Sequence, residues 1–146
     1  MARFQTKIRR ARFVVVGYSP EQMLVPGNAL RDSIEQRILR AEDAYDAPAK
    51  PLSSKGKYGG YAAWKAKKAP PAERNWKFRG RTLRSMKVLA VAANRAVIGF
   101  TDPESNRVAY YNNRRVRQFG VSPRNRQAVA LAFASLRNPI QVRQVA

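Results

Sequence analysis

The sequence predicts an α+β fold: a small antiparallel sheet centred on a β-hairpin, packed by two to three helices, with a long basic loop. Three observations predict it. Residues 86–92 and 96–100 are nearly all apolar and valine-rich, and the Ala93-Asn94-Arg95 between them suits a tight turn, because asparagine tolerates positive φ. Leu30, Ile34, Ile38, Ala41 and Tyr45 recur at spacings of 4, 4, 3 and 4, which places them on one stripe of a helix. From Ala47 to Arg79 neither period holds, and prolines, glycines and lysines dominate. The 146 residues are expected to form one domain, with a basic arm over 1–12, an extended loop over 47–79 and a tail over 138–146.

Charge sets the second constraint. Lys+Arg number 29 against 9 Asp+Glu, a formal net charge of +20 that invites anionic partners. Six of the nine acids fall between Glu21 and Asp46, and no acid follows Glu104 while eight arginines do. With no cysteine and no histidine, the chain lacks thiolate chemistry, the commonest general base and the commonest metal ligand. No apolar run reaches the roughly 18–20 residues of a membrane span, and the N-terminus has no signal-peptide core, so a soluble protein with no membrane partner is expected.

In chain order, Arg3, Lys7, Arg9, Arg10 and Arg12 lead into the β-prone Phe13-Val14-Val15-Val16, expected to end at Gly17. This segment reads either as a nucleic-acid-binding arm or as an edge strand whose cations face water. Ser19-Pro20 and Pro26-Gly27 frame a connection, and Asn28 is expected to cap a helix running to Asp46. Asp32, Glu35, Glu42, Asp43 and Asp46 project from the side opposite the apolar stripe. That face is either merely solvated or, in so basic a chain, a dock for a basic neighbour such as another copy.

In the long loop, Tyr58, Tyr61, Trp64 and Trp76 interleave with Lys55, Lys57, Lys65, Lys67 and Lys68, with a short helix allowed over 61–68. Aromatics among lysines suit base stacking with phosphate contact. They suit burial at a protein interface equally. Gly80 and Thr82 start a helical turn through Ser85 that enters the buried hairpin. A further helix is expected from Asp102-Pro103, stopped by Gly120 and carrying Arg114, Arg115 and Arg117. Ser122-Pro123 opens a last helix with Ala128, Val129, Ala132, Phe133 and Leu136 on its apolar face, ended by Asn138-Pro139 before a tail or edge strand over 140–146.

No Ser-His-Asp set, no Cys-His pair and no acidic metal cluster can be assembled, and G-K-Y-G-G lacks phosphate-loop spacing. The chain is expected to be non-catalytic, with no cofactor and no metal. The order of its parts is more informative. A helix L-R-D-S-I-E-Q-R-I precedes Pro51-Leu52-Ser53, then Thr82, Leu83 and Ser85, a hairpin ending Ile98-Gly99-Phe100, and finally Gln118-Phe119-Gly120. This series, over about residues 28–125, resembles the virion-morphogenesis or tail-completion proteins of tailed bacteriophages. Two departures are visible: Gly80 precedes Arg81-Thr82 where the family has Thr-Gly, and Ser122-Pro123-Arg124-Asn125 stands where the family is proline-rich.

The resemblance implies a structural virion protein at the head–tail junction, as a tail-completion, neck or tail-terminator subunit assembled in the host cytoplasm. It implies a homo-oligomeric ring, a hexamer first and a dodecamer as the alternative, touching other neck and tail proteins. The acids named above, with Tyr58, Tyr61, Trp64 and Trp76, are the expected protein interface. Lys55, Lys57, Lys65, Lys67, Lys68, Arg114, Arg115 and Arg117 are the expected phosphate contacts to packaged DNA. The alternative is a basic nucleic-acid-binding protein of ribosomal or chromatin type, which would share the composition.

Overall fold

The computed structural model describes residues 12–15, 17–71, 73–75, 80–136 and 142–145. Along the chain run β1 (Arg12–Val15), α1 (Pro20–Leu39), a 3-10 turn (Lys57–Gly59), α2 (Gly60–Lys68), α3 (Arg81–Ser85), β2 (Met86–Ala92), β3 (Arg95–Phe100), α4 (Pro103–Asn113), α5 (Pro123–Ser135) and β4 (Val142–Val145). The class is α+β, with more helices among the described residues than the two to three expected. Its strands form two separate antiparallel pairs, β1–β4 and β2–β3. The C-terminal segment is thus a strand, paired from Arg12↔Val145 to Val15↔Val142. Of the expected N-terminal arm, residues 1–11 lie outside the described residues.

The long helix α1 starts eight residues before the expected Asn28, at Pro20 behind an N-cap at Ser19. The Ser19 hydroxyl accepts from the Gln22 N–H at 3.2 Å, and Gln22 Oε1 accepts from the Ser19 N–H at 2.9 Å. That reciprocal capping box, with proline at the first helical position, sets the start, and packing of α1 on the hairpin and α5 carries the helix through the hydrogen bond lost to Pro26. Gly27 has a packing role rather than a turn role. A Cβ there would stand 3.2 Å from Ala96 Cβ and 3.3 Å from Val88 Cγ2, so its absence lets α1 lie against the hairpin. Gly27→Val is therefore expected to cost about 1–3 kcal/mol by overpacking. An unchanged denaturation midpoint would remove α1 from the hairpin at this point.

The helix also stops earlier than expected, at Leu39, with Ala41 at φ 56 turning the chain. Leu30, Ile34 and Ile38 keep the apolar stripe, but Ala41 and Tyr45 leave it, and Tyr45 is exposed. The reason is local. Asp43 Oδ1 accepts from the N–H groups of Tyr45 (2.8 Å) and Ala47 (3.1 Å), a turn geometry that competes with continued helix.

Met86 to Phe100 form the expected hairpin, with Asn94 at φ 59 in a two-residue turn. Gly80, at φ 62, precedes α3, as expected of a glycine entering the turn. The hairpin is only half-buried, however, which corrects the expectation of a buried centre. Val88 pairs with Ile98 and Ala90 with Val97, so Leu89 bulges out and is 49% exposed. The buried cluster sits at the hairpin's base instead: Ile34 and Ile38 of α1 meet Leu83 and Met86, with Ile98, Phe100 and Phe119 packed around them.

Helix α4 begins at Pro103 behind Asp102, whose Oδ2 accepts from the Ser105 N–H at 3.2 Å. It ends at Asn113, not at Gly120. Asn113 Oδ1 takes up the N–H groups of Gln118 (2.8 Å) and Phe119 (2.9 Å), closing the chain into a turn that a continued helix would forbid. Helix α5 opens at Ser122-Pro123 with a second capping box and ends at Ser135, before Asn138-Pro139. Its expected apolar face is half-buried against α1, and Phe133 meets Tyr18 with ring centroids 4.8 Å apart.

Candidate functional site

Residues 47–75 lack a period of their own, yet hydrogen bonds from side chains hold them in place. Arg74 Nε donates to the Lys50 carbonyl at 2.8 Å and Nη2 to that of Pro51 at 3.3 Å, fastening the end of the loop to its beginning. Gln118, buried, donates through Nε2 to the Arg74 carbonyl at 2.7 Å. Lys65 is 2% exposed, and its Nζ donates to Asn75 Oδ1 at 2.6 Å and to the Glu73 carbonyl. An ammonium so enclosed cannot meet phosphate, so Lys65 leaves the expected phosphate-contact set. Its role is to close the loop around α2.

On the outer side of that loop the aromatics are accessible. Tyr58 is 88% exposed, and Tyr61 and Trp64 stack with centroids 5.4 Å apart and planes 27° apart while each stays over a third exposed. Tyr61 and Trp64 face the same way because they stand three positions apart on α2. Sequence reasoning missed a second pair, Tyr110 and Tyr111 on α4, both about 60% exposed with centroids 5.6 Å apart. A Tyr-rich helix with no apolar period was the available signal. Trp76 lies outside the described residues, as does the Lys57 side chain. Lys55, Lys67, Lys68, Arg114, Arg115 and Arg117 are all exposed.

The five interface acids separate into two groups. Asp32 and Glu35 remain on α1, each near Arg31, with Arg31 Nη1 3.7 Å from Glu35 Oε2. Glu42, Asp43 and Asp46 instead lie on the turn after the helix, which corrects their placement on one helical face. Two of them grip α5. The Arg124 N–H donates to Asp46 Oδ2 at 3.0 Å, and Arg124 Nη1 is 3.3 Å from Glu42 Oε1. Burial alone would raise the Asp46 pKa, but the Arg124 N–H, the Ser122 hydroxyl and the nearby arginine charges bring it below the ordinary value.

Arg37 was hidden in the sequence beside Ile38. It is fully buried, and its guanidinium donates to the carbonyls of Asp43, Gln118 (2.7 Å) and Gly120 (2.7 Å). Desolvation lowers its pKa, opposed by the charges of Asp46, Asp43 and Glu42.

Two depressions adjoin the loop. One, of about 370 Å³, lies between Tyr61, Arg74, Arg81, Thr82, Glu104 and Asn112. The other, of about 610 Å³, runs along residues 50–55 to Arg74 and Arg115, and shares Leu52 and Arg74 with the first. Among the described residues no three carboxylates stand together to hold a metal, and no helix is long and apolar enough to cross a membrane. What this surface offers is cations for anions and flat rings for stacking or interface burial. No family model, curated protein or solved structure matches the chain.

Proposed function

We propose that this chain is a non-catalytic structural protein of a tailed-phage virion, a ring-forming subunit at the head–tail junction. One observation carries the reading beyond the order of motifs. The short segments that resemble the tail-completion family are distant in sequence but adjacent in the fold. Leu83, Ile98 and Phe119 pack in or against one core, Phe100 and Phe119 meet edge to face at 5.2 Å, and Gln118 binds the Arg74 carbonyl beside Pro51-Leu52. This adjacency supports the reading only together with the order of the motifs, since apolar residues gather in the core of any folded chain.

Self-association has candidate surfaces in the exposed aromatic pairs and in Asp32 and Glu35 on α1. Large exposed rings favour a partner that covers them. Opposite charges carried by the same small chain allow head-to-tail contacts that close into a ring.

Mass photometry and negative-stain imaging of the purified protein test the assignment. Closed rings of one size are expected, and Asp32→Lys with Glu35→Lys should leave the melting temperature near wild type while lowering ring yield. A chain that stays monomeric at every concentration and salt, and is missing from purified virions, would overturn the reading.

A further inference from the structure

The groove along residues 50–55 has a composition that the chain's average does not explain. Lys50, Lys55, Arg74 and Arg115 line it together with the hydroxyl-bearing Ser53 and Ser54, and no carboxylate does. All nine acids of the sequence lie within the described residues, and of them Glu73 and Glu104 line the adjoining cleft and not the groove. Elsewhere on the surface some arginines pair with acids, as Arg40 and Arg124 do with Glu42, Arg81 with Asp102 and Arg107 with Glu104. Those that form no ion pair among the described residues, such as Arg95 and Arg126, line neither depression. Among the described residues the four groove cations form no ion pair. Like charges gathered around an open hollow repel one another unless an anion enters.

We propose that this groove binds the phosphodiester backbone of a nucleic-acid strand. Arg74 is the organising residue. Two of its nitrogens are committed to the Lys50 and Pro51 carbonyls, so the guanidinium is fixed in the groove wall rather than free in solvent. Burial and then the neighbouring Arg115 charge lower its pKa, consistent with a cation held where a counter-charge would relieve it. Lys50 and Lys55 stand exposed at the ends of the serine-bearing segment as point charges, and serine hydroxyls can donate to phosphate oxygens.

The groove has a continuation that suits a strand rather than a single phosphate ion. Leu52 and Arg74 also line the adjoining cleft, whose wall includes Tyr61, and Tyr61 stacks on Trp64. That cleft also carries Glu73 and Glu104, so the phosphate-binding part is the groove itself, and the cleft contributes Tyr61 as a ring on which a base leaving the groove can stack. Lys67 and Lys68, exposed on α2, lie on the element that carries the rings. This inference stands apart from the head–tail assignment, since a ring could form with the groove empty and a monomer could fill it.

The test compares two variants that each lose three positive charges. One carries Lys50→Gln, Lys55→Gln and Arg115→Gln in the groove. The other carries Lys87→Gln, Arg95→Gln and Arg126→Gln, exposed cations on β2, β3 and α5 that form no ion pair among the described residues. Arg74 is kept because it holds the loop together. Melting curves confirm that both variants are folded. Fluorescence anisotropy then follows binding of a labelled oligothymidylate, a mixed-sequence duplex and, by competition, inorganic phosphate, from about 50 to 200 mM salt.

The groove variant is expected to bind the oligothymidylate at least about tenfold more weakly than wild type. Its log–log salt slope should be shallower by about 2, because each single-strand phosphate that a side chain ceases to neutralise removes roughly 0.7. The control variant should stay within about twofold to threefold of wild type, as expected for charges felt only through screened solvent. Preference for the single strand over the duplex would assign the ring pair to base stacking. Equal binding of both would assign the groove to backbone alone, and either outcome supports it. Equal losses in the two variants would reduce binding to diffuse net charge and overturn the proposal. So would lost self-association with unchanged strand binding, which would give the groove to a second copy of the chain.

Discussion

Ile38→Asp is expected to leave no soluble folded protein. Ile38 is fully buried on α1, where it meets Ile34, Leu83 and Met86 at the base of the hairpin. A carboxylate there would have no partner, and an unpaired buried charge costs several kcal/mol even when the group escapes by taking up a proton. Native domains of this size have only about 5–15 kcal/mol of stability to lose. Ile38→Val removes one methylene and is expected to cost about 0.5–1.5 kcal/mol, leaving the fold intact as the control. Aspartate at Val88 or Ile98 should be milder, because both are half-buried on the sheet rather than enclosed. Soluble yield and far-ultraviolet circular dichroism read the result. A folded Ile38→Asp protein with wild-type melting would place the core somewhere other than the α1–hairpin junction.

The hairpin is legible in the sequence because its signals are local: two valine-rich runs and an asparagine able to take φ 59. Ser122-Pro123 announces α5 for the same reason, since a cap and a first-turn proline act on neighbouring residues. The start of α1 is misread where two local signals compete. Pro26-Gly27 looks like a break, and only the contact of Gly27 with Val88 and Ala96, sixty or more residues away, shows why a glycine belongs inside the helix. The ends of α1 and α4 depend on single polar side chains, Asp43 and Asn113, that capture backbone N–H groups and have no periodic signature. The candidate site is half legible. Its aromatics and lysines stand out by composition, but exposure does not, so Lys65 is grouped with cations whose fate it does not share. Arg74 and Lys50 have no signal at all until the chain brings residues 50–55 beside residues 74 and 115.

Arg37→Met is expected to destabilise the protein by about 3 kcal/mol or more, although methionine fills a similar volume with less desolvation. The arginine's value lies in the three carbonyls it serves, of Asp43, Gln118 and Gly120, which it ties to α1 with one planar group. Losing a charge-assisted bond costs each carbonyl about 1.5–3 kcal/mol at most. Among the described residues only the Gly120 carbonyl is left without a donor, because the Asp46 and Gly120 N–H groups still serve Asp43 and Gln118 at 3.2 Å. Against that loss, removing a desolvated charge returns some free energy, the reason that swapping buried ionic groups for apolar ones is sometimes neutral. Here the balance is unfavourable because only one side of the interaction is replaced and the backbone acceptors stay. Arg37→Lys should recover little, since an ammonium cannot span three carbonyls in the planar fork of a guanidinium. For a chain of this size the loss corresponds to a melting point lower by roughly 10 °C. The damage should also reach the groove. Arg37 fixes the Gln118 backbone, and Gln118 Nε2 in turn holds the Arg74 carbonyl, so the wall carrying Arg74 is tied to α1 through these two bonds. Hydrogen exchange on the folded Arg37→Met protein should therefore show lost protection at the Ala44 N–H, which donates to the Arg117 carbonyl at 2.7 Å, and at Gln118. Wild-type stability and protection in that variant would mean that water serves the carbonyls and that Arg37 ties nothing together.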